Sequence, residues 1–493
     1  MALKLGTTSL NAVYLGSTSI AALYLGATQV FGGGAVEFDP ASLFASGEEG
    51  AWYEPSTSTC FTDASGTVAA TYGDAVQYLQ DLSGNGNHAT QTTLASRPIL
   101  ARVPETGRRN LLERTEEFDN ATVWTEFFVT ASATLETAPA GLSGTVYKLQ
   151  ESALTDQHGV SQIDGSLPTT DTWTLSVYIK DAGDGRFVQL RPFGVGSGVA
   201  YATFDPTDGS LTQSGGTALV GTPTSTPVGD SGWYRVEMTC SADLLSGDGA
   251  FIVLTTSGTA GEYPAYTGDG SSGVYIFGAQ FEIGTSSTAY QKVVTEYDIT
   301  EAGVTSLEYL SFDGVDDALI GPSHPFTFTG PVSVFTGAKP ESFNVFSTIF
   351  SAGTTGVASS NTQKSMGFGM FGNSSNKWST DIWLPSGVYS EPVLIAGTNY
   401  VALFNILNWS THRSAGTEAR VNGVDRAVTS YGGNNPTSLN SGKMVVGSFD
   451  PTALSSGFFN GNLYGLIVRG ASSTTDEITN TEAYLAARSG VTL

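Results

Sequence analysis

The residues whose spacing suits bond-breaking chemistry lie in EYDITE, Glu296 to Glu301. Carboxylates grouped in this way are the residue type that acid–base chemistry needs. On a regular strand Glu296 and Asp298 share a face, and Glu301 joins them only through a bulge. The simpler reading is a charged, solvated linker. A second acidic group, FDGVDD, gathers Asp313, Asp316 and Asp317 around one glycine. It suits either Ca²⁺ coordination or a tight turn capped by side-chain to backbone hydrogen bonds, and the turn is the simpler expectation.

Binding a sugar without cleaving it asks for less: an aromatic face for the apolar side of a pyranose, and amides or carboxylates for its hydroxyls. NKWSTDIWLPSGVY offers Trp378, Trp383, Asn376, Asp381 and Tyr389. Trp409 with Asn408 and His412 is a second group, and Trp124 a third. Trp378 and Trp383 are five apart, so a regular strand sends them to opposite faces and one belongs to the core. Serine-nucleophile, zinc-protease and nucleotide-loop motifs are missing from any supporting strand–helix context. The four histidines are scattered, and the two cysteines, Cys60 and Cys240, fall in different expected domains. No histidine metal centre or disulfide framework is therefore expected.

Composition narrows the elements that must position these groups. The chain of 493 residues has 60 glycines and only 14% charged residues, which suits many short strands joined by tight turns. A net charge of −25 excludes nucleic acid, which needs clustered Lys and Arg, and disfavours an anionic membrane surface. Such acidity keeps a Gly/Ser/Thr-rich surface soluble. Glycines at 6, 16 and 26 break the apolar N-terminus, leaving no run long enough for a signal peptide or a membrane span. Synthesis in a cytoplasm without signal-directed export is the expectation.

Residues 1–34 carry a repeat of period ten, LKLGTTSLNA, VYLGSTSIAA and LYLGATQV, each reading as strand, turn and strand. Three such units cannot bury their apolar faces alone, so assembly is expected here, as a homotrimer or on an adaptor. The piece DLSGNGNHATQTTLASRPIL at 81–100 stops short of a natural partner, and YLSFDGVDDAL at 309–319 supplies it. The two pieces read as one β-sandwich, opened at a surface loop to receive a second domain. In that insertion WTLSVYIK alternates, with Trp173, Leu175, Val177 and Ile179 on one face. One helix is expected over DEITNTEAYLAARSG, with Thr475 or Asp476 as its cap and Gly490 beyond its end.

FDPASLFASGEEGAWYEPS, the SGNGN loop and the closing NGNLYGLIVRG resemble the concanavalin A-like (laminin-G-like) lectin domain of tailed-bacteriophage tail fibre and receptor-binding proteins. RRNLLERTEEFDNATVW and YIFGAQFEIGTSSTAYQKV resemble the ends of a carbohydrate-binding-module-like jelly roll, and YLGSTSI resembles N-terminal stretches of phage fibre proteins. EYDITE is similar to the E-x-D-x-x-E strand of laminarinase-type glycoside hydrolases, but it falls in a join between domains. The resemblance implies an all-β chain: β-repeats at 1–34, a discontinuous lectin-like sandwich at 35–107 and 294–493, an inserted jelly roll at 108–293, and one C-terminal helix. It implies a structural Ca²⁺ in the jelly roll, with Glu117 as one ligand; Gln280 stands where a second carboxylate is expected. It further implies a non-catalytic virion protein that binds host surface glycans and meets a tail or baseplate protein through residues 1–34. The alternatives are an architectural capsid or tail decoration protein, and a surface-glycan hydrolase.

Overall fold

The computed structural model describes residues 4–5, 8–9, 14–15, 18–19, 22–25, 28–32, 38–105, 109–163, 171–193, 200–242, 249–295, 297–298, 305–322, 331–342, 347–353, 365–371, 377–382, 386–390, 394–407, 417–431, 443–448 and 457–493. The chain divides into two compact units, Met1–Ala101 with Glu308–Leu493, and Arg102–Leu307. Each N-terminal repeat is a hairpin: Lys4–Leu5 pairs with Thr8–Ser9, Tyr14–Leu15 with Thr18–Ser19, and Ala22–Leu25 with Thr28–Gly32. The ladder partners Lys4↔Ser9 and Tyr14↔Ser19 occupy equivalent places in successive repeats.

The first unit is a sandwich built from both ends of the chain. One sheet runs Ile99–Pro104, Ser306–Asp313, Asn460–Arg469, Val332–Pro340, Tyr400–Ile406, Thr417–Val421 and Val424–Arg426, and Gly50–Tyr53 also pairs with Asn460–Arg469. The other runs from Val428–Tyr431 through Ser386–Ser390, Lys377–Ile382, Ser365–Phe371, Ser347–Gly353, Lys443–Val446 and Leu319–Ile320 to Ala89–Thr90, Tyr78–Leu79 and Cys60–Phe61. The ladder pairs Thr90↔Ile320 and Leu466↔Tyr53 join residues far apart in sequence. Between the sheets, Tyr53, Leu79 and Leu100 pack in one cluster with Phe312, Phe350, Phe404 and Leu466. Cys60 is buried there as a free thiol, which burial pushes up to about 12, so it is inert at neutral pH.

The single α-helix among the described residues, Thr475–Ser489, lays Ile478, Leu485 and Ala486 on Phe335, Leu403 and Ile467. Its cap is Thr474, one residue before the expected Thr475. Thr474 is extended and places Glu477 at the third helical position, where side chain and backbone bond reciprocally. Gly490 ends the helix at φ 64°.

The second unit is a jelly roll of two six-stranded sheets. Asp171–Asp181 lies between Gly273–Ile283 and Tyr234–Ala242. Its Trp173, Leu175, Val177 and Ile179 are all buried, and Trp173 stacks on Phe281 at 5.4 Å. The unit reaches beyond the expected 108–293. Arg102 donates to the Tyr297 carbonyl at 3.1 Å, and the Glu105 N–H bonds the Thr305 carbonyl at 2.8 Å. The first and last segments of this unit are therefore tied together. Replacing residues 106–304 by a short Gly/Ser loop is expected to leave a sandwich that melts in one cooperative transition with a β circular dichroism spectrum. A chain without a cooperative transition would show that the sandwich depends on its insertion.

Candidate functional site

The acidic turn is the best-defined cluster of candidate ligands. Gly314, at φ +75°, turns the chain so that the carboxylates of Asp313, Asp316 and Asp317 come within 4.8 Å of one another. Asp313 Oδ1 accepts the N–H groups of Val315 at 2.8 Å and Asp316 at 3.3 Å. Asp317 Oδ2 accepts the Asp313 N–H at 2.9 Å. The Ser96 hydroxyl donates to Asp316 at 2.8 Å, and the Gln91 amide donates to the Ala318 carbonyl at 2.8 Å. The turn-capping expectation is thus met in full, and the same turn clips the two halves of the sandwich together. The carboxylates also fit a hard cation, supplying three oxygens of the six to eight that Ca²⁺ takes. Burial of Asp317 raises its carboxyl to about 6, and the Asp313 and Asp316 charges add to the shift.

The other sequence candidates fall in different places. Trp124 is 2% exposed; its ring packs on Phe118 at 4.9 Å and its indole N–H bonds the Arg114 carbonyl. A ring with no open face cannot stack on a sugar, so Trp124 is a core residue and leaves the binding set. The Glu117 carboxylate meets the Arg114 guanidinium at 3.3 Å and the Asn120 amide at 3.2 Å. Among the described residues it joins no group of metal-ligating side chains. Gln280 is fully buried and accepts the Gln291 N–H at 2.8 Å, as part of the packing of the closing strand. In EYDITE, Asp298 accepts the N–H groups of Val294 at 2.7 Å and Thr295 at 3.0 Å, which makes it the cap of a turn. Glu296 and Glu301 lie outside the described residues, as do Trp383, Trp409, Asn376, Asn408 and His412.

Strand register places the remaining candidates. Lys377–Ile382 pairs with Ser365–Phe371 on one side and Ser386–Ser390 on the other. Position 378 falls in the same alternate set as Thr380, the partner of Phe368, which is buried in the core. Positions 381 and 389 fall in the other set, through the pairs Asp381↔Gly387 and Ser379↔Tyr389. The next strand continues both rows, with Gly387↔Tyr431 and Tyr389↔Thr429. Sequence reasoning missed Tyr431, because only the strand pairing brings it into line with Asp381. It also missed a groove along the C-terminal helix, lined by Phe38, Asn480, Ala483, Tyr484, Ala487 and Arg488. Its signal was the recurrence of those helical residues at intervals of three and four on the face away from the core.

No protein-family model matches the chain, and no curated protein matches it. Among solved structures, it is similar to a Bacteroides ovatus protein described as carbohydrate binding. That likeness has 11% identity and a TM-score of 0.25, covering 66% of this chain and 78% of the other. Mouse laminin α1 domains LG4-5 are similar at 11% identity and a TM-score of 0.25, over 70% of this chain and 95% of the other. A Trypanosoma rangeli sialidase in complex with sialic acid is similar at 10% identity and a TM-score of 0.27, over 75% and 64%. Likeness of this size carries neither ligand nor chemistry across.

The acidic turn gives a pH prediction. Asp317 titrates near 6 in the folded chain and near 3.9 unfolded, so its ionisation opposes folding. The cost is absent below about pH 4, grows between about pH 4 and 6, and is complete above that range. In chelator, Asp317→Asn is expected to raise the melting temperature at pH 8 and to leave it unchanged at pH 4. An equal change at both pH values would contradict the assignment.

Proposed function

We propose that this chain is a glycan-binding subunit of a tailed-phage virion, a tail fibre or receptor-binding protein that holds host surface saccharides without cleaving them. The observation that carries this reading is the register of three neighbouring strands in the larger sheet. It sets Asp381, Gly387 and Tyr431 in one row and Ser379, Tyr389 and Thr429 in the next. Those register positions hold two tyrosines, an aspartate, a serine, a threonine and a glycine in one alternate set, the residue types that pyranose recognition draws on.

The N-terminal hairpins support assembly. A two-stranded ribbon is marginal by itself in water, and three in succession invite partner strands from other copies. A homotrimer docked through residues 1–34 on a tail or baseplate protein would present several weak glycan sites together and gain by multivalency. Ca²⁺ held by Asp313, Asp316 and Asp317 would brace the junction of the two sandwich halves. Among the described residues no helix is long and apolar enough to cross a membrane.

On an array of bacterial surface polysaccharides, Tyr389→Ala and Asp381→Ala are each expected to lower retention by roughly tenfold with unchanged melting. Trp378→Ala, at a core-side position, is expected to lower the melting temperature instead. If the wild type is not retained on any glycan, an architectural role in the capsid or tail replaces this reading.

A further inference from the structure

Three Asn-Gly pairs stand in the chain, at 85–86, 422–423 and 460–461. We infer that Asn85 is a site of spontaneous deamidation, and that its conversion loosens the hold of the SGNGN loop on the Gly50–Tyr53 strand. In an Asn-Gly pair the main-chain nitrogen reaches the preceding side chain most easily, because glycine puts no side chain in the way and leaves the backbone free to turn. The surrounding fold separates the three pairs.

Asn85 is exposed, between Gly84 at φ +87° and Gly86 at φ +74°. A Cβ placed on Gly86 would meet nothing within 4 Å, so its backbone has room to move. Among the described residues the Gly86 N–H donates to no main-chain acceptor. The Asn85 amide nitrogen donates to the Glu48 and Gly50 carbonyls at 3.1 Å each, and neither bond involves the side-chain carbonyl that the Gly86 nitrogen would attack. The other two pairs are held. Asn422 accepts the Val401 N–H on its side-chain oxygen at 2.9 Å, and its own N–H bonds the Val401 carbonyl at 2.8 Å. Asn460 and Gly461 lie in a ladder with Asp313 and Phe312, and a Cβ on Gly461 would sit 2.2 Å from the Lys339 carbonyl oxygen.

The reaction needs only water. The Gly86 nitrogen gives up its proton and attacks the Asn85 side-chain carbonyl carbon. The new N–C bond forms, the bond from that carbon to Nδ2 breaks, and ammonia leaves with the proton. Water then opens the resulting succinimide, at the side-chain carbonyl to give aspartate or at the main-chain carbonyl to give isoaspartate; nothing is oxidised or reduced. Both products lose the donors to Glu48 and Gly50 and bring a carboxylate to two carbonyl oxygens, which repel it. Isoaspartate also lengthens the main chain between Ser83 and Asn87, whose N–H groups must both reach Asp81. The anchored carbonyls belong to the segment that enters Gly50–Tyr53, so the damage falls on that strand's attachment.

The test is peptide mapping by mass spectrometry on the full chain aged at alkaline pH, folded and in parallel in urea, with an isoaspartyl methyltransferase assay on each peptide. In urea all three asparagines should convert. In the folded chain Asn85 should convert first, to a mixture of aspartate and isoaspartate. Asn422 and Asn460 should lag it by roughly tenfold or more, since they react only after local opening. Asn85→Asp copies one product, and in that variant the 50–53 amides should exchange roughly tenfold faster than in the wild type, as two lost hydrogen bonds require. Should the variant fail to fold, the aged wild type is measured in its place. Asn85 unchanged in the folded chain, Asn422 or Asn460 converting as fast as Asn85, or 50–53 amides that exchange at the unaged wild-type rate after conversion would each overturn the inference.

Discussion

The sandwich depends on the strand Asn460–Arg469. It forms ladders with Ser306–Asp313, Val332–Pro340 and Gly50–Tyr53, and nearly all of its residues are buried. Gly50–Tyr53 comes from before the inserted jelly roll and the other strands from after it, so the last strand of the chain closes a sheet begun by the first part. Gly50 shows how close the approach is. A Cβ there would sit 2.0 Å from the Val468 carbonyl oxygen, at a φ of 150°, so only glycine allows the pairing. Arg469 continues the closure by bonding Glu48 at 2.9 Å and Glu477 at 3.1 Å. One side chain thus ties the first segment, the last strand and the helix.

A polar network beneath the SGNGN loop makes the same closure specific. Asp81 accepts the N–H groups of Trp52 and Ser83 at 2.9 Å each and of Asn87 at 2.8 Å, while the Asn87 amide donates to the Gly50 carbonyl at 2.8 Å. Asp81 and Asn87 are buried, so each unmade bond would leave a desolvated polar group. A misregistered Gly50–Tyr53 strand would break several of these bonds together. His88 belongs to this network, accepting the Asp81 N–H at 3.0 Å and stacking on Tyr78.

Much of this was legible in the sequence, because the signals were local. The period of ten announced hairpins, the alternation in WTLSVYIK announced a central strand, and the asparagine-glycine loop announced left-handed turns, seen at Gly84 and Gly86. The candidate site was less legible, because it depends on register. Trp124 had the chemistry of a sugar platform, and only its packing on Phe118 shows that its faces are covered. Tyr431 is far in sequence from Asp381, and two ladders align them. The groove needed Phe38 to arrive from the other end of the chain. Glu117 and Glu116 are adjacent, yet Glu116 is the buried one, bonding Lys292 at 2.6 Å; turn geometry decided which faced inward.

Native-state hydrogen exchange along a denaturant series addresses the closure itself. If the last strand and Gly50–Tyr53 form one cooperative unit, amides in Gly50–Tyr53 and in Leu463–Arg469 should lose protection together, with one free energy of opening. Exchange of the 50–53 amides at much lower denaturant, with the C-terminal strand still protected, would contradict the account and make the first segment an accessory to a sandwich complete without it.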